Sequence, residues 1–224
     1  ALGLSTYQPE LPFHGVVANR VGSARHAQML AQSLPAPLHW LGALSRDSAQ
    51  ALPERHLGLV QAAEIADLDT RIDAAAAALG DAVDLQAIPR VPFPAVAITP
   101  IPELLAGRRI AVSRDAAFSF LYAANLDCLR ALGAQIEFFS PLRDTALPAV
   151  DAVYLTGGYP ELHAAALAAN TAMHAALRAH HQAGKPLLAE CGGMMSLFET
   201  LTDGNGDTHA MAGLLPGHTR MQPR

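Results

Sequence analysis

Apolar positions along the chain fall into two alternating patterns. Short unbroken runs bounded by Gly, Pro or polar residues read as strands, and longer stretches with apolar residues every three or four positions read as helices. His14-Gly15-Val16-Val17-Ala18-Asn19-Arg20-Val21 predicts a buried strand with a polar end. Ser23 can then cap a helix reaching about Leu34. Leu38 to Leu44 is a second apolar run, and the Ala-rich stretch from Ile65 to Leu79 predicts a helix stopping at Gly80. Arg109-Ile110-Ala111-Val112-Ser113 predicts a strand. Tyr122, Leu126, Leu129 and Leu132 make the stripe of a helix ending at Gly133. Strands follow at Gln135 to Phe139 and Ala152 to Thr156, a helix at Thr171 to Ala183, and a strand at Pro186 to Glu190. No internal repeat is visible. Alternating elements of these lengths imply parallel, doubly wound α/β sheets.

Between the two α/β stretches the pattern breaks. Pro89, Pro92, Pro94, Pro100 and Pro102 fall within 14 residues. Proline lacks an N–H and restricts its predecessor, so residues 80–107 read as an extended linker. The expected division is 1–79, 80–107 and 108–224.

Composition narrows the classes. The 224 residues carry 15 Lys+Arg against 20 Asp+Glu, a net charge of −5, which argues against a nucleic-acid partner. With 51% hydrophobic and 16% charged residues, the chain can bury a core. No stretch of about 20 residues is apolar enough for a membrane span. No Lys/Arg-led apolar segment opens the chain, so no signal peptide is expected. Two cysteines, Cys128 and Cys191, cannot make a disulfide framework, and a cytoplasmic setting follows. The chain opens Ala1-Leu2-Gly3 without Met and closes on Met221-Gln222-Pro223-Arg224, so a piece of a longer enzyme is expected.

The chemistry concentrates at two Gly-rich turns at predicted strand ends, where open α/β sheets bind ligands. They are Gly157-Gly158-Tyr159-Pro160 and Cys191-Gly192-Gly193. A strand, a nucleophile, glycines and a helix form an elbow that lifts the side chain off the sheet. A helix beginning near Gly193 would favour the thiolate. Acyl transfer also needs oxyanion donors. The amide of Gly192 and one from the Gly158-Tyr159 turn are the candidates. The alternative is an inert buried thiol beside a structural turn. Cys128, mid-helix beside Leu129, reads as a packed core thiol. Of the histidines, His180-His181 reads as a solvated face, and His163 as a cap, a substrate rim or a catalytic group. His209 and His218 follow the cysteine in sequence. No His/Cys/carboxylate spacing suggests a metal site.

Gly157-Gly158-Tyr159-Pro160-Glu161-Leu162-His163 and Ala189-Glu190-Cys191-Gly192-Gly193-Met194-Met195 together resemble the glutaminase domain of the cobyrinic acid a,c-diamide synthase family. Ser113-Arg114-Asp115, Ala117 to Phe120, Asn125-Leu126, Phe138 to Leu142 and Gly213 to Gly217 also match. Asn19-Arg20-Val21-Gly22-Ser23 and the run from Leu52 to Val60 resemble the tail of that family's ATP-binding domain. The resemblance implies a dethiobiotin-synthetase-like ATP-binding part in 1–79. It implies a class I glutamine-amidotransferase-like, flavodoxin-like domain in 108–224. The implied activity is amidation of the a and c acetates of (hydrogeno)cobyrinic acid, with a glutamine and a corrinoid substrate. ATP with Mg²⁺ would activate the carboxylate as an acyl phosphate, and ammonia would come from glutamine. Cys191 falls on the nucleophile, and Asn19 where related domains contact the adenine edge.

The departures are specific. No G-x-x-x-x-G-K-[ST] loop is present, since Gly184-Lys185 precedes Pro186 and has Ala179 where the first Gly belongs. Neither His209 nor His218 sits in the family's Gly-x-Glu-x-x-His setting, and Ala123-Ala124 stands where the family has Pro-Glu. The 224-residue chain is therefore expected not to complete the ligase reaction and to have weak or no glutaminase activity. A parallel sheet without its first strands exposes an edge, so residues 1–79 are expected to be less ordered or to pair with another chain, a homodimer included. The competing readings are a sister amidase, such as cobyric acid synthase or a nickel-sirohydrochlorin diamide synthase, and a non-catalytic binding domain.

Overall fold

The computed structural model describes residues 1–54, 60–95 and 100–222. Arg55 to Leu59, part of the second ATP-domain match, lie outside the described residues. Two units divide between residues 97 and 98, within the Pro-rich stretch 80–107.

In the first unit, helix α1 (Leu2–Tyr7) precedes strand β1 (Gly15–Val21), helix α2 (Ala24–Gln32), strand β2 (His39–Ser45) and helix α3 (Leu68–Ala82). β1 and β2 pair in parallel, with Gly15 opposite His39 and Val21 opposite Ser45. Ser23 caps α2 as expected, its hydroxyl accepting from the His26 amide at 3.1 Å. α3 differs from the expectation at both ends. It starts after Asp67 and runs through Gly80 to Ala82. Val83, buried at the helix end, donates its amide to the Leu79 carbonyl at 2.9 Å. Burying that valine outweighs the roughly 1 kcal/mol that a helical glycine costs.

The second unit holds β3 (Arg109–Ser113), α4 (Ala123–Ala131), β4 (Gln135–Phe139), β5 (Ala152–Leu155), α5 (Ala164–Ala169), α6 (Thr171–Gln182), β6 (Leu187–Ala189) and α7 (Gly192–Met195). Its sheet has the order β4-β3-β5-β6, and every pair is parallel. Strand side chains alternate between faces. Ala111, Val153 and Leu155 pack with Met173 and Leu177 of α6. Ile110, Val112 and Tyr154 point the other way, toward Leu126 and Leu129 of α4. After α7 comes a small mixed sheet, β8-β7-β9, made of β7 (Phe198–Thr202), β8 (Thr208–Ala210) and β9 (Leu215–Arg220). It has no counterpart in the sequence reading.

Helix α6 corrects one expectation. His180 is not solvated, and only His181 is exposed. Met173, Leu177 and His180 recur at spacings of 4 and 3, so His180 completes the buried stripe. Its Nε2 lies 3.1 Å from the Pro186 carbonyl oxygen. His174 is buried too. Burial, and secondarily the Arg178 guanidinium, hold its imidazole below the ordinary value near 6.5. The unfolded chain protonates His174 as pH falls through that ordinary value, while the folded chain does so only lower. Stability contributed by neutral His174 is therefore lost as pH drops across that window. His174→Gln is expected to flatten this loss. Thermal midpoints at about pH 7.5 and about pH 5 test it, and an unchanged acid slope in the variant counts against it.

Candidate active site

The site is built at the carboxyl ends of β5 and β6. β6 stops at Ala189, the Glu190 amide donates to the Leu155 carbonyl at 3.2 Å, and the Gly193 amide returns to the Glu190 carbonyl at 2.8 Å. Between them Cys191 takes φ 49° and ψ −120°, a conformation unfavourable for a residue with a Cβ. Such a residue costs about 1–3 kcal/mol, and it persists only where its surroundings impose it. Cys191 is exposed. The following helix α7 is a single turn starting at Gly192, one residue earlier than expected. Its leading amides, not a long dipole, supply the positive end.

The two Gly-rich turns meet. A Cβ on Gly157 would lie 3.3 Å from the Cys191 Cβ, and one on Gly192 would lie 2.7 Å from the Gly158 oxygen. Gly158 and Gly193 have no room for a side chain. The added carbon would stand 2.1 Å from the Ala117 oxygen at the first and 2.4 Å from the Leu155 oxygen at the second. Neither the Gly158 nor the Gly192 amide donates to a protein acceptor among the described residues. Tyr159 is fully buried, its ring edge-on to Phe120 at 5.1 Å. The expected nucleophile and expected oxyanion donors are thus brought together.

The support beneath them is polar and closed. Ser113 accepts from the Thr156 amide at 2.8 Å. Asp115 accepts from the amides of Ala117 (2.9 Å), Phe118 (3.1 Å) and Leu142 (3.0 Å) and from the Ser140 hydroxyl (2.8 Å). This fixes the 115–118 turn against which Gly158 packs. In the sequence Asp115 stands out only as part of the Ser113-Arg114-Asp115 motif. Its role was legible from an Asp two residues before an amide it can cap.

Further residues differ from expectation or add to it. Cys128 is exposed, not a core thiol. The apolar stripe of α4 is Leu126 and Leu129, and Cys128 lies beside it, facing a cavity of about 360 Å³ with Asn125, Tyr154, Leu188 and Glu190. Tyr154 was missed, because in sequence it is one apolar strand residue among several. Its hydroxyl donates to Glu190 Oε1. Burial, reinforced by that carboxylate, pushes its phenol up to about 12. His163 is half-buried at the end of the short turn Pro160–His163. His209 contacts Asp203 at 3.2 Å within the β7–β8 hairpin, and His218 is exposed on β9.

In the first unit, Asn19 and Arg20 stand near the carboxyl end of β1. They line a cavity of about 460 Å³ with Ser45, Arg46 and Asp47. Asn19 Oδ1 accepts from the Arg20 amide at 2.8 Å, which leaves its Nδ2 for another partner. Among the described residues no three His, Cys, Asp or Glu side chains converge as a metal site would require.

Residues 109–224 match the model of the CobB/CobQ-like glutamine amidotransferase domain. The chain belongs to that family. Its parallel sheet with helices on both faces is the class I glutamine amidotransferase-like α/β fold. A hydrogenobyrinate a,c-diamide synthase of Stutzerimonas stutzeri (strain A1501) is 59% identical over 224 residues, 100% of this chain and 52% of that protein. The protein of the same name from Pseudomonas aeruginosa is 56% identical, with the same shares. A cobyrinate a,c-diamide synthase of Herminiimonas arsenicoxydans is 48% identical over 229 residues, 99% of this chain and 50% of that protein. The amidotransferase chain thus spans about half the length of the curated relatives it matches. Its likeness to them runs through both units.

Proposed function

We propose that residues 108–224 act as the glutaminase part of an enzyme that amidates the a and c acetate carboxylates of hydrogenobyrinic or cobyrinic acid. The observation that carries this is the meeting of the two Gly-rich turns around Cys191 in a chain of the amidotransferase family. The Cys191 thiolate attacks the side-chain amide carbon of glutamine, forming a C–S bond. Negative charge builds on the amide oxygen, within reach of the amides of Gly192 and the Gly158-Tyr159 turn. The C–N bond then breaks, the departing nitrogen takes a proton, and ammonia leaves. Water cleaves the remaining thioester to glutamate and restores the thiol. The proton carrier is assigned to neither His209 nor His218, since His209 contacts Asp203 within the β7–β8 hairpin and His218 stands exposed on β9.

ATP, with Mg²⁺ on its phosphates, would activate the corrinoid carboxylate as an acyl phosphate that ammonia displaces. Asn19, with a carboxamide that both donates and accepts, suits the edge of an adenine. No described residue cluster is offered to the cation. No helix among the described residues is long and apolar enough to cross a membrane, and a cytoplasmic location fits a biosynthetic enzyme of this class.

The test is covalent labelling with 6-diazo-5-oxo-L-norleucine, a glutamine analogue that alkylates the thiol attacking it. Peptide mass spectrometry is expected to find one adduct, on Cys191, suppressed by excess glutamine. Cys128 is also exposed but lacks the turn and its amides, and it is expected to stay unmodified. Absence of the Cys191 adduct, or equal labelling of both cysteines, favours a binding domain instead.

A further inference from the structure

This inference rests on Cys191 being the nucleophile. Its neighbour in sequence, Glu190, places a carboxylate one residue from the reacting thiol. A negative charge close to a thiol disfavours the thiolate, so an unrestrained Glu190 would oppose the reaction. Yet the elbow depends on this residue's backbone, whose amide and carbonyl both hold the turn, through Leu155 and Gly193.

The strand geometry resolves the conflict. Leu188 and Glu190 are two apart on the β6 line and border the same cavity, on the α4 side of the sheet. Cys191 is not among the residues bordering it. There Tyr154, only 6% exposed, donates its hydroxyl to Glu190 Oε1. Asn125 of α4 faces the same phenol. Tyr154 is buried in one cluster with Ile110 and Val112 of β3, against which Leu126 and Leu129 of α4 pack, and this burial holds its hydroxyl in place.

We propose that Tyr154 is a positioning residue for glutamine hydrolysis: its hydroxyl pins the Glu190 carboxylate into the cavity between α4 and the sheet, away from the Cys191 thiolate. Other titratable groups near the elbow are Glu161 and His163 on the turn packed against Gly192, with Cys128 bordering the cavity. None of them adjoins Cys191 in sequence as Glu190 does.

The experiment follows alkylation of Cys191 by iodoacetamide, read peptide by peptide, in the wild type, Tyr154→Phe, Glu190→Gln and the double variant. Phenylalanine keeps the ring and removes only the anchor. In Tyr154→Phe the released carboxylate is expected to slow alkylation roughly tenfold at about pH 7, but not at about pH 10, where thiols are ionised in every variant. Adding Glu190→Gln is expected to restore the wild-type rate at about pH 7. A packing role for Tyr154 predicts no such rescue, because the charge of Glu190 would not matter. Tyr154→Phe alkylated like the wild type, or a double variant as slow as the single, overturns the proposal. Failure of the underlying reading shows separately, as a wild type whose Cys191 takes no adduct from the glutamine analogue.

Discussion

In an enzyme of the relatives' full length, of which this chain spans about half, Cys191→Ala is expected to lower glutamine hydrolysis by roughly four orders of magnitude or more. The reason is chemical, because alanine keeps the Cβ and hence the backbone strain while removing the only atom that attacks. The thermal midpoint should therefore stay close to that of the wild type. Cys191→Gly separates the two effects. It removes the sulfur and also the Cβ that makes φ 49° costly. It is expected to be equally inactive yet to melt above Cys191→Ala, by about 1 kcal/mol of stability. Cys128→Ala should leave the rate unchanged. Ammonia release and calorimetry on the same preparations decide it. A Cys191→Ala enzyme retaining more than about a tenth of wild-type turnover would sink the nucleophile assignment.

Gly193→Ala is expected to cost about 3 kcal/mol of stability and at least about a hundredfold in turnover. The new carbon would sit 2.4 Å from the Leu155 oxygen and 2.7 Å from the Thr156 oxygen. Both are backbone atoms of the strand that anchors the opposing Gly-rich turn, and neither can rotate away. Either α7 lifts, moving the Gly192 amide from the place where charge develops, or β5 shifts and breaks its register. Gly80→Ala is the control from the same chain. Nothing lies within 4 Å of a carbon added there, and the residue is inside a helix, so that change should stabilise by about 1 kcal/mol. Urea denaturation of the two variants measures the contrast. A Gly193→Ala protein as stable as the wild type would show that the turns are looser than the structure has them.

Much of this is legible in the sequence alone. The strand Arg109–Ser113 lies where the apolar run puts it, because a strand buried on both faces leaves a continuous apolar signature. The edge strand Gln135–Phe139 lies where its apolar positions Ile136, Phe138 and Phe139 put it, beside polar Gln135 and Glu137. The elbow was legible for a similar reason, since only glycine satisfies the contacts at positions 158 and 193. What escaped has physical causes. Cys128 and His180 each sit on a helix, where a shift of one position turns a side chain by about 100°. Periodicity alone misassigned both. The β7–β9 sheet escaped because its strands are short and alternate weakly, as in Thr208–Ala210. The Tyr154–Glu190 contact joins residues 36 apart in sequence, and no local pattern announces a cross-strand pair of that separation.

The order in which the site's pieces leave the ribosome has a consequence of its own. Ser113 bonds to Thr156 across 43 residues, and the cysteine comes later still, in the turn after β6, the last strand of that sheet in chain order. Parallel pairing over such separations is slow and must be nearly complete before it repays its entropy. The amides that would stabilise charge on the substrate therefore do not exist around Cys191 in any partly folded chain. On the proposed mechanism a nascent or misfolded copy would carry a thiol without its oxyanion donors and waste no glutamine, and glutamine hydrolysis would report that the sheet has closed.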